Sequence, residues 1–478
     1  MQVFRLWPIY FAGRMLPAAI AFGGIALYTR LLDPASFGIY ALCLSTSFLV
    51  GMTGFSWLRV AALRMTAAIE AGDEPDLAAT MAASFAGTAL LVGLTVVAAL
   101  RIYSPSLPWS TVLLTAAAAV ASGFFELNIT LLQARLKLIA YGVLQAVRAT
   151  AALGASVLLI SAGFKANALL GGFAAGNCAA FGALALWSPA LRGSFRGVVF
   201  KRLIRFGWPS SAGSLSYFSA TFQRYALDAA AGGAAVGIFA AASDFAQQTV
   251  GLLIGTATLA GQPLAFRARD LSTRDVLADQ LRNNARLVFA IGLASAAGLI
   301  ALSGPISHLY FGPKFQNGAG TILSLAAAVM FVSGLRANYF EQAFEIALET
   351  RPVAILTIVR IALTVALSIA FIPRFGAIGA VTATLLAEIV ALVVSMYWAA
   401  RVVRMPLPLD AFAKIGAATV AMIVVVELVP GRSTPAGLAL AVAAGVLTYA
   451  ASFFVMYTRE VRALFGLRGA AAHGGSGS

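Results

Sequence analysis

The sequence predicts an all-α integral membrane protein of about fourteen transmembrane helices, built as two parallel six-helix bundles around a central cavity with a final helix pair. Three observations predict it. Apolar runs of about 20 residues, the length a helix needs to cross a hydrocarbon core, recur from end to end. Charge is scarce: of 478 residues, 60% are hydrophobic and 11% charged, and the mean hydropathy is +0.89. A soluble domain of this size needs far more charge on its surface. Lys and Arg also gather in alternate loops, as they do in multi-pass proteins. The runs are continuously apolar rather than alternating, which selects helices over a barrel.

The expected spans are, in order, 8–31, 37–60, 80–102, 109–133, 139–162, 166–188, 203–229, 234–262, 282–304, 319–344, 352–373, 376–400, 409–428 and 435–458. They group into an N-terminal bundle (1–190), a second bundle (191–404), the helix pair (405–460) and a polar tail (461–478). The first run is long and lacks a small-residue cleavage site, so it is expected to stay as a helix. Pro8, Pro17 and Pro209 are candidate hinges in spans one and seven. The segment Arg267–Arg286 mixes basic, acidic and apolar residues and reads as a surface helix. Cys43 and Cys178 both sit in apolar runs, where cysteine acts as a small core residue.

Of the 33 Lys and Arg, six lie well within the spans, and six more (Arg30, Arg101, Lys165, Lys314, Arg374 and Arg432) lie at or beyond the span ends on one side. The remaining 21 lie on the other side. The positive-inside rule then places both termini in the cytoplasm of a bacterial inner membrane. The net charge of +15 is therefore topological and suits anionic lipid headgroups. With no separate basic domain, nucleic acid is not an expected partner.

The chain repeats itself. Trp7-Pro8 opens span one and Trp208-Pro209 opens span seven; LLDPASFGIYAL (Leu31–Leu42) and AAVGIFAAASDF (Ala234–Phe245) lead into spans two and eight. Arg148 in span five matches Arg360 in span eleven, and Asn128 in span four matches Asn338 in span ten. An offset of six spans keeps orientation, so the halves are parallel repeats with a cavity expected between them.

There is little here for an enzyme or an ATPase. The two histidines, His308 and His473, stand apart, and no His/Cys/carboxylate group has metal-ligand spacing. A Gly-x-x-x-x-Gly-Lys-Ser/Thr loop is missing from the sequence, and no cofactor is expected. The informative residues are ionisable groups within spans, each costing roughly 2.5–3.5 kcal/mol at a helix centre and so turned away from lipid. The cations are Arg14, Arg148, Arg224, Arg336 and Arg360; the acids are Glu126, Asp244 and Glu388. Either the arginines line a cationic cavity, or they form structural pairs with the acids. Asp244, Glu388 and Glu126 are equally candidates for holding a coupling ion. Asn128, Asn338 and Gln223 can offer hydrogen bonds to a ligand or between helices.

LLDPASFGIYAL resembles the first-loop signature of polysaccharide flippases. FIPRFGAIGAVTATLL (Phe371–Leu386) resembles the same family's turn between spans eleven and twelve, and VGIF (Val236–Phe239) its opening of span eight. In their order and spacing these motifs are similar to the O-antigen or exopolysaccharide (Wzx-type) branch of the multidrug/oligosaccharidyl-lipid/polysaccharide exporters, over about residues 1–460. Two positions depart from the pattern: Gln223-Arg224 where relatives often carry Asp-Arg or Asn-Arg, and Phe239 in place of Tyr. The resemblance implies a non-enzymatic flippase that carries an undecaprenyl-diphosphate-linked oligosaccharide to the periplasmic leaflet by alternating access, for surface-polysaccharide assembly. It further implies that the five arginines meet the diphosphate, that membrane lipids are partners, and that polymerase and chain-length proteins of the same pathway are candidate partners. Two other readings stay open: an ion-coupled exporter of drugs or metabolites on the same fold, and a membrane glycosyltransferase or polymerase. The cationic span residues weigh against the first, and short external loops against the second.

The charge count makes a direct prediction. A reporter active only in the periplasm, fused after Arg468, is expected to give no signal, whereas the same reporter fused between spans one and two is expected to be active.

Overall fold

In the computed structural model the described backbone comprises residues 2–68, 74–135, 137–185, 194–208, 216–256, 265, 269, 274–349, 351–403 and 405–456; side chains are described at these positions except 2–15, 66–68, 74, 138, 181–185 and 274. All regular structure among them is helical. The helices are α1 (Gln2–Leu31), α2 (Pro34–Ala68), α3 (Glu74–Tyr103), α4 (Trp109–Ala134), α5 (Leu138–Ser161), α6 (Lys165–Ala185), α7 (Gly197–Gly207), α8 (Ser216–Ala246), α9 (Arg274–Ala301), α10 (Ser303–Tyr310), α11 (Ala319–Leu335), α12 (Gln342–Ala347), α13 (Arg351–Val402), α14 (Leu409–Leu428) and α15 (Pro435–Met456).

Ten of the described helical stretches are long and apolar enough to cross a membrane. Two of them are double spans, each divided by a glycine. The stretch Ser216–Thr256 breaks at Gly232 (φ 79°, ψ 169°), and α13 breaks at Gly376 (φ 54°, ψ −131°). Both conformations lie where a Cβ is strongly disfavoured, so glycine is what lets two spans meet without a longer loop. Counting these halves, and adding α1 and α6, recovers the fourteen expected spans. Large apolar side chains such as Leu91 (66% exposed) and Leu447 (69% exposed) point outward. In a multi-pass membrane protein this surface faces hydrocarbon.

Two differences from the sequence expectation concern surface segments. Span seven was expected from residue 203, but α7 ends at Gly207 and the membrane-crossing helix α8 begins at Ser216. The reason is pattern: α7 alternates a buried face (Leu203, Gly207) with exposed Lys201, Arg202 and Arg205, which suits an interface and not a hydrocarbon core. The surface helix expected over 267–286 has no separate existence in its second half, since residues 274–286 are the opening turns of α9. Pro209 and the tail lie outside the described residues, and α1 is one helix across Pro17.

The chain forms two compact units. The first comprises residues 1–248, 310–322 and 350–391; the second comprises 249–309, 323–349 and 392–478. In the second unit α14 packs on α15 and α9 through Leu302, Met422, Val426 and Ala441, and the Tyr449 hydroxyl donates to the Ala290 carbonyl at 2.9 Å. In the first unit α2 is the hub and packs against α3, α4, α6, α7 and α8.

The start of α2 explains its motif. Asp33 accepts from the Ser36 N–H at 2.9 Å and from the Ser36 hydroxyl at 2.8 Å, with Pro34 at the first helical position, so the helix end is capped in the expected way. Burial pushes the Asp33 carboxyl up, but these bonds and the charge of Lys165 outweigh it and hold the carboxyl below its ordinary range. Phe37 is buried, and Gly38 faces α8. A Cβ on Gly38 would lie 1.9 Å from the Gly233 carbonyl oxygen, and a Cβ on Gly237 would lie 2.0 Å from the Pro34 carbonyl oxygen. The two contacts mirror each other: 34 and 38 face 237 and 233. The repeated Gly-Ile pair of the sequence is thus a pseudo-symmetric crossing point, where backbone meets backbone.

Gly38→Val is therefore expected to abolish well-folded protein, because the clash is with main chain and no side chain can yield. Gly87→Ala, where an added Cβ meets nothing within 4 Å, serves as the control. Size-exclusion profiles of the two variants in detergent check this.

Candidate functional site

The first unit holds most of the polar side chains singled out in the sequence. Arg224 sits on α8, eight residues before the Gly232 break. Its guanidinium donates to the Ala41 carbonyl at 3.2 Å and approaches the Asp244 carboxylate at 3.4 Å. The Arg224 side chain is 15% exposed, whereas that of Asp244 is 45% exposed. Tyr40 lies in the field of both charges, with Tyr28 beside it. Neighbouring Tyr225 shares a hydrogen bond with Thr46, and Tyr103 donates to the Asp228 carboxylate and the Tyr225 carbonyl, each at 3.1 Å. This ring of tyrosines around Arg224 and Asp228 was not picked out from sequence. Its signal was the Gln223-Arg224-Tyr225 triplet followed by an acid one turn on.

Gln223 points the other way. Its amide donates toward Ser368 (3.0 Å), the Ala380 carbonyl (2.9 Å) and Thr384 (2.8 Å), and its carbonyl accepts from Thr384 at 3.1 Å. In this conformation its hydrogen-bonding capacity is spent within the protein, tying α8 to α13.

Arg360 and Glu388, on the two halves of α13, are 3.5 Å apart; Glu388 is buried and Arg360 largely so. Arg148, the repeat partner of Arg360, is placed differently: its guanidinium stacks over Phe125 at 4.3 Å and feels Glu126 through space. Glu126 instead touches Arg59 at 3.3 Å. Two cations thus share one acid between α2, α4 and α5.

Arg336, in the second unit, opens a π-helical segment, Arg336–Phe340, and pairs with Glu341 directly after it. Asn128 and Asn338 make the same bond in both repeats, each donating to the carbonyl four residues back, at 2.8 and 3.0 Å. Arg14 lies on α1, but its side chain is outside the described residues.

Each of four span arginines therefore has a defined partner. A guanidinium has five N–H donors in a planar fork, and two-point contact with phosphate oxygens is its strongest option. An amphipathic anion is the ligand class that this chemistry suits.

The model of the family described as polysaccharide biosynthesis protein matches residues 4–269. The chain belongs to that family. No curated protein matches the sequence. Among solved structures, a lipid II flippase, MurJ, in an inward closed conformation matches with TM-score 0.79 at 14% identity, covering 95% of this chain and 99% of that one. An inward-facing multidrug resistance transporter of the MATE family and MOP superfamily matches with TM-score 0.62 at 18% identity, covering 85% and 99%. A MOP superfamily transporter from Pyrococcus furiosus matches with TM-score 0.57 at 17% identity, covering 87% and 96%. At these identities the likeness is one of fold: a MurJ- and MATE-like multi-pass transporter architecture. The polysaccharide family and this fold agree with the resemblance read from the sequence motifs.

The Arg360–Glu388 pair yields a stability prediction. Glu388→Gln leaves a buried guanidinium without its counter-charge, and such losses cost about 3–5 kcal/mol. The single variant is expected to melt well below the parent, and the double variant Arg360→Gln/Glu388→Gln to recover much of the difference. Thermal unfolding in one detergent reads both.

Proposed function

We propose that this protein is a flippase for a lipid-linked oligosaccharide, whose undecaprenyl-diphosphate anchor crosses from the cytoplasmic to the periplasmic leaflet by alternating access. The observation that carries the reading is the Arg224–Asp244 pair: a largely buried guanidinium, held at 3.4 Å by a carboxylate that is itself 45% exposed. Such a pair can exchange partners. A diphosphate arriving at Arg224 replaces one weak contact with charge-assisted bonds, while a cation or proton at Asp244 keeps the carboxylate satisfied. Arg148, stacked on an aromatic ring, adds positive charge from another helix of the unit, and Arg14, Arg336 and Arg360 complete the proposed set. Asn128 and Asn338, whose amides each donate to the carbonyl one turn back in this conformation, are the polar contacts for the sugar, with Gln223 joining when α8 and α13 part.

Family membership supports a role in polysaccharide assembly, and the match to a lipid II flippase over nearly the whole of both chains supports a lipid-linked cargo. The lipid tail stays in the bilayer while the polar head passes inside. The chain works in the bacterial inner membrane with both termini in the cytoplasm, takes membrane lipids as its surroundings, and hands its product to polymerase and chain-length proteins of the same pathway. The expected bundles at 1–190 and 191–404, with the pair at 405–460, are the moving parts in this reading. The MATE-like fold favours one alternative, an ion-coupled exporter of small molecules.

Surface-polysaccharide export at matched membrane expression tests the proposal. Loss of one charge-assisted contact of about 1.5–3 kcal/mol predicts a drop of tenfold or more for Arg224→Ala. Arg224→Lys is expected to retain part of the activity, because it keeps the charge and loses the fork. Full export by Arg224→Ala would reject the assignment. Rescue of Arg224→Ala by Asp244→Asn would mean that the arginine only braces the acid.

A further inference from the structure

Between α2, α3 and α7 lies a cavity of about 860 Å³ that plays no part in the site described above. Trp57 forms its α2 wall, Gly87 and Leu91 its α3 wall, and Phe200, Ile204 and Trp208 close one end. The hydroxyls on its α3 wall are spent on their own helix: Ser84, Thr88 and Thr95 each donate to a carbonyl one turn back, at 2.7–2.8 Å. That wall is thus predominantly apolar and suits hydrocarbon. Along α3 it runs from Ala83 to Thr95, about 18 Å at 1.5 Å per residue. One leaflet's half of a hydrocarbon core is about 15 Å, so the groove matches a single acyl chain of one leaflet.

The closed end carries the charge. On α7, Leu203 and Gly207 are buried against the protein, and Gly207 sits so close to the Trp57 carbonyl that a Cβ would lie 2.0 Å from it. Phe200, Ile204 and Trp208 follow one another at four-residue spacing along the groove. Lys201 and Arg205, one residue further round the helix, stand exposed at the rim. Among the described residues neither has an acidic partner. Arg64 reaches the same helix from α2, its guanidinium 4.5 Å from the centre of the Phe206 ring.

We infer that this groove and the rim of α7 form a binding site for an anionic phospholipid, one acyl chain lying between α2 and α3 and the headgroup held by Lys201 and Arg205. The inference stands apart from what the protein transports. Two independent variants address it. Lys201→Gln/Arg205→Gln removes the headgroup contacts, and basic residues at a membrane surface are worth enough that losing two predicts about 30-fold weaker retention. Gly87→Phe fills the groove from a position where an added Cβ meets nothing within 4 Å.

Purified full-length protein is equilibrated with phosphatidylglycerol or phosphatidylcholine, and bound lipid is counted by native mass spectrometry. Phosphatidylglycerol is expected to stay on the parent protein and to be lost from both variants, with phosphatidylcholine retained far less. Equal retention of the two lipids, or unchanged phosphatidylglycerol on either variant, overturns the site. Displacement of phosphatidylglycerol by an equimolar amount of undecaprenyl phosphate, with the same sensitivity to Gly87→Phe, assigns the groove to a polyprenyl tail and overturns the phospholipid as its occupant.

Discussion

The first unit depends on a place where two helices have no side chains between them. Gly38 and Gly237 let the backbones of α2 and α8 touch, each glycine against the other helix's main chain. In hydrocarbon, where apolar side chains gain little by leaving lipid for one another, close backbone approach is a main source of helix association. Everything polar nearby follows from that closeness. Arg224 reaches the Ala41 carbonyl, Thr221 donates to the Ser45 carbonyl at 3.2 Å, and Thr46 meets the Tyr225 hydroxyl because the helix axes converge just beyond. A bulkier pair at the crossing would hold α8 off and strand the guanidinium in a low-dielectric interior.

The buried charges obey a second constraint. Each ionisable group in a span must bring its own compensation, and here compensation is local. Arg360 finds Glu388 on the other half of α13, Arg336 finds Glu341 across a π-helical turn, and Arg224 finds Asp244 beyond the Gly232 break. In all three the acid follows its arginine in the chain and is reached through a departure from regular α-helix, since a straight helix carries the two side chains past each other. The break in the helix and the ion pair across it are therefore one device.

Much of this was legible in the sequence. Run length and charge scarcity are one-dimensional signals, and they placed the fourteen spans because a membrane helix satisfies its own backbone. The Leu31–Leu42 motif marked the entry to span two, and its echo at Ala234–Phe245 the entry to span eight. What was not legible required three dimensions. The pairing of Glu126 with Arg59 instead of Arg148 turns on which faces of α2, α4 and α5 meet. The start of span seven was misplaced because α7 is apolar enough to be read on into the next helix; only its amphipathic face, with Leu203 buried and Lys201 exposed, separates the two. Of the tyrosines near Arg224 only Tyr225 adjoins it in the chain; Tyr28, Tyr40 and Tyr103 are brought there by packing. Repeat symmetry misled in one respect, for it matched Arg148 to Arg360 by position while their surroundings differ.

That last difference has an electrical meaning. Arg360 and Glu388 together carry no net charge, whereas Arg59, Arg148 and Glu126 together carry one positive charge that no described neighbour cancels. A neutral pair moves freely in a transmembrane voltage; a charged triad does not. Moving one elementary charge through a membrane potential of 100 mV involves about 2.3 kcal/mol. Any rocking that carries α4 and α5 along the membrane normal is therefore work done with or against the cell's own potential, and the helices that were duplicated together respond to that potential unequally.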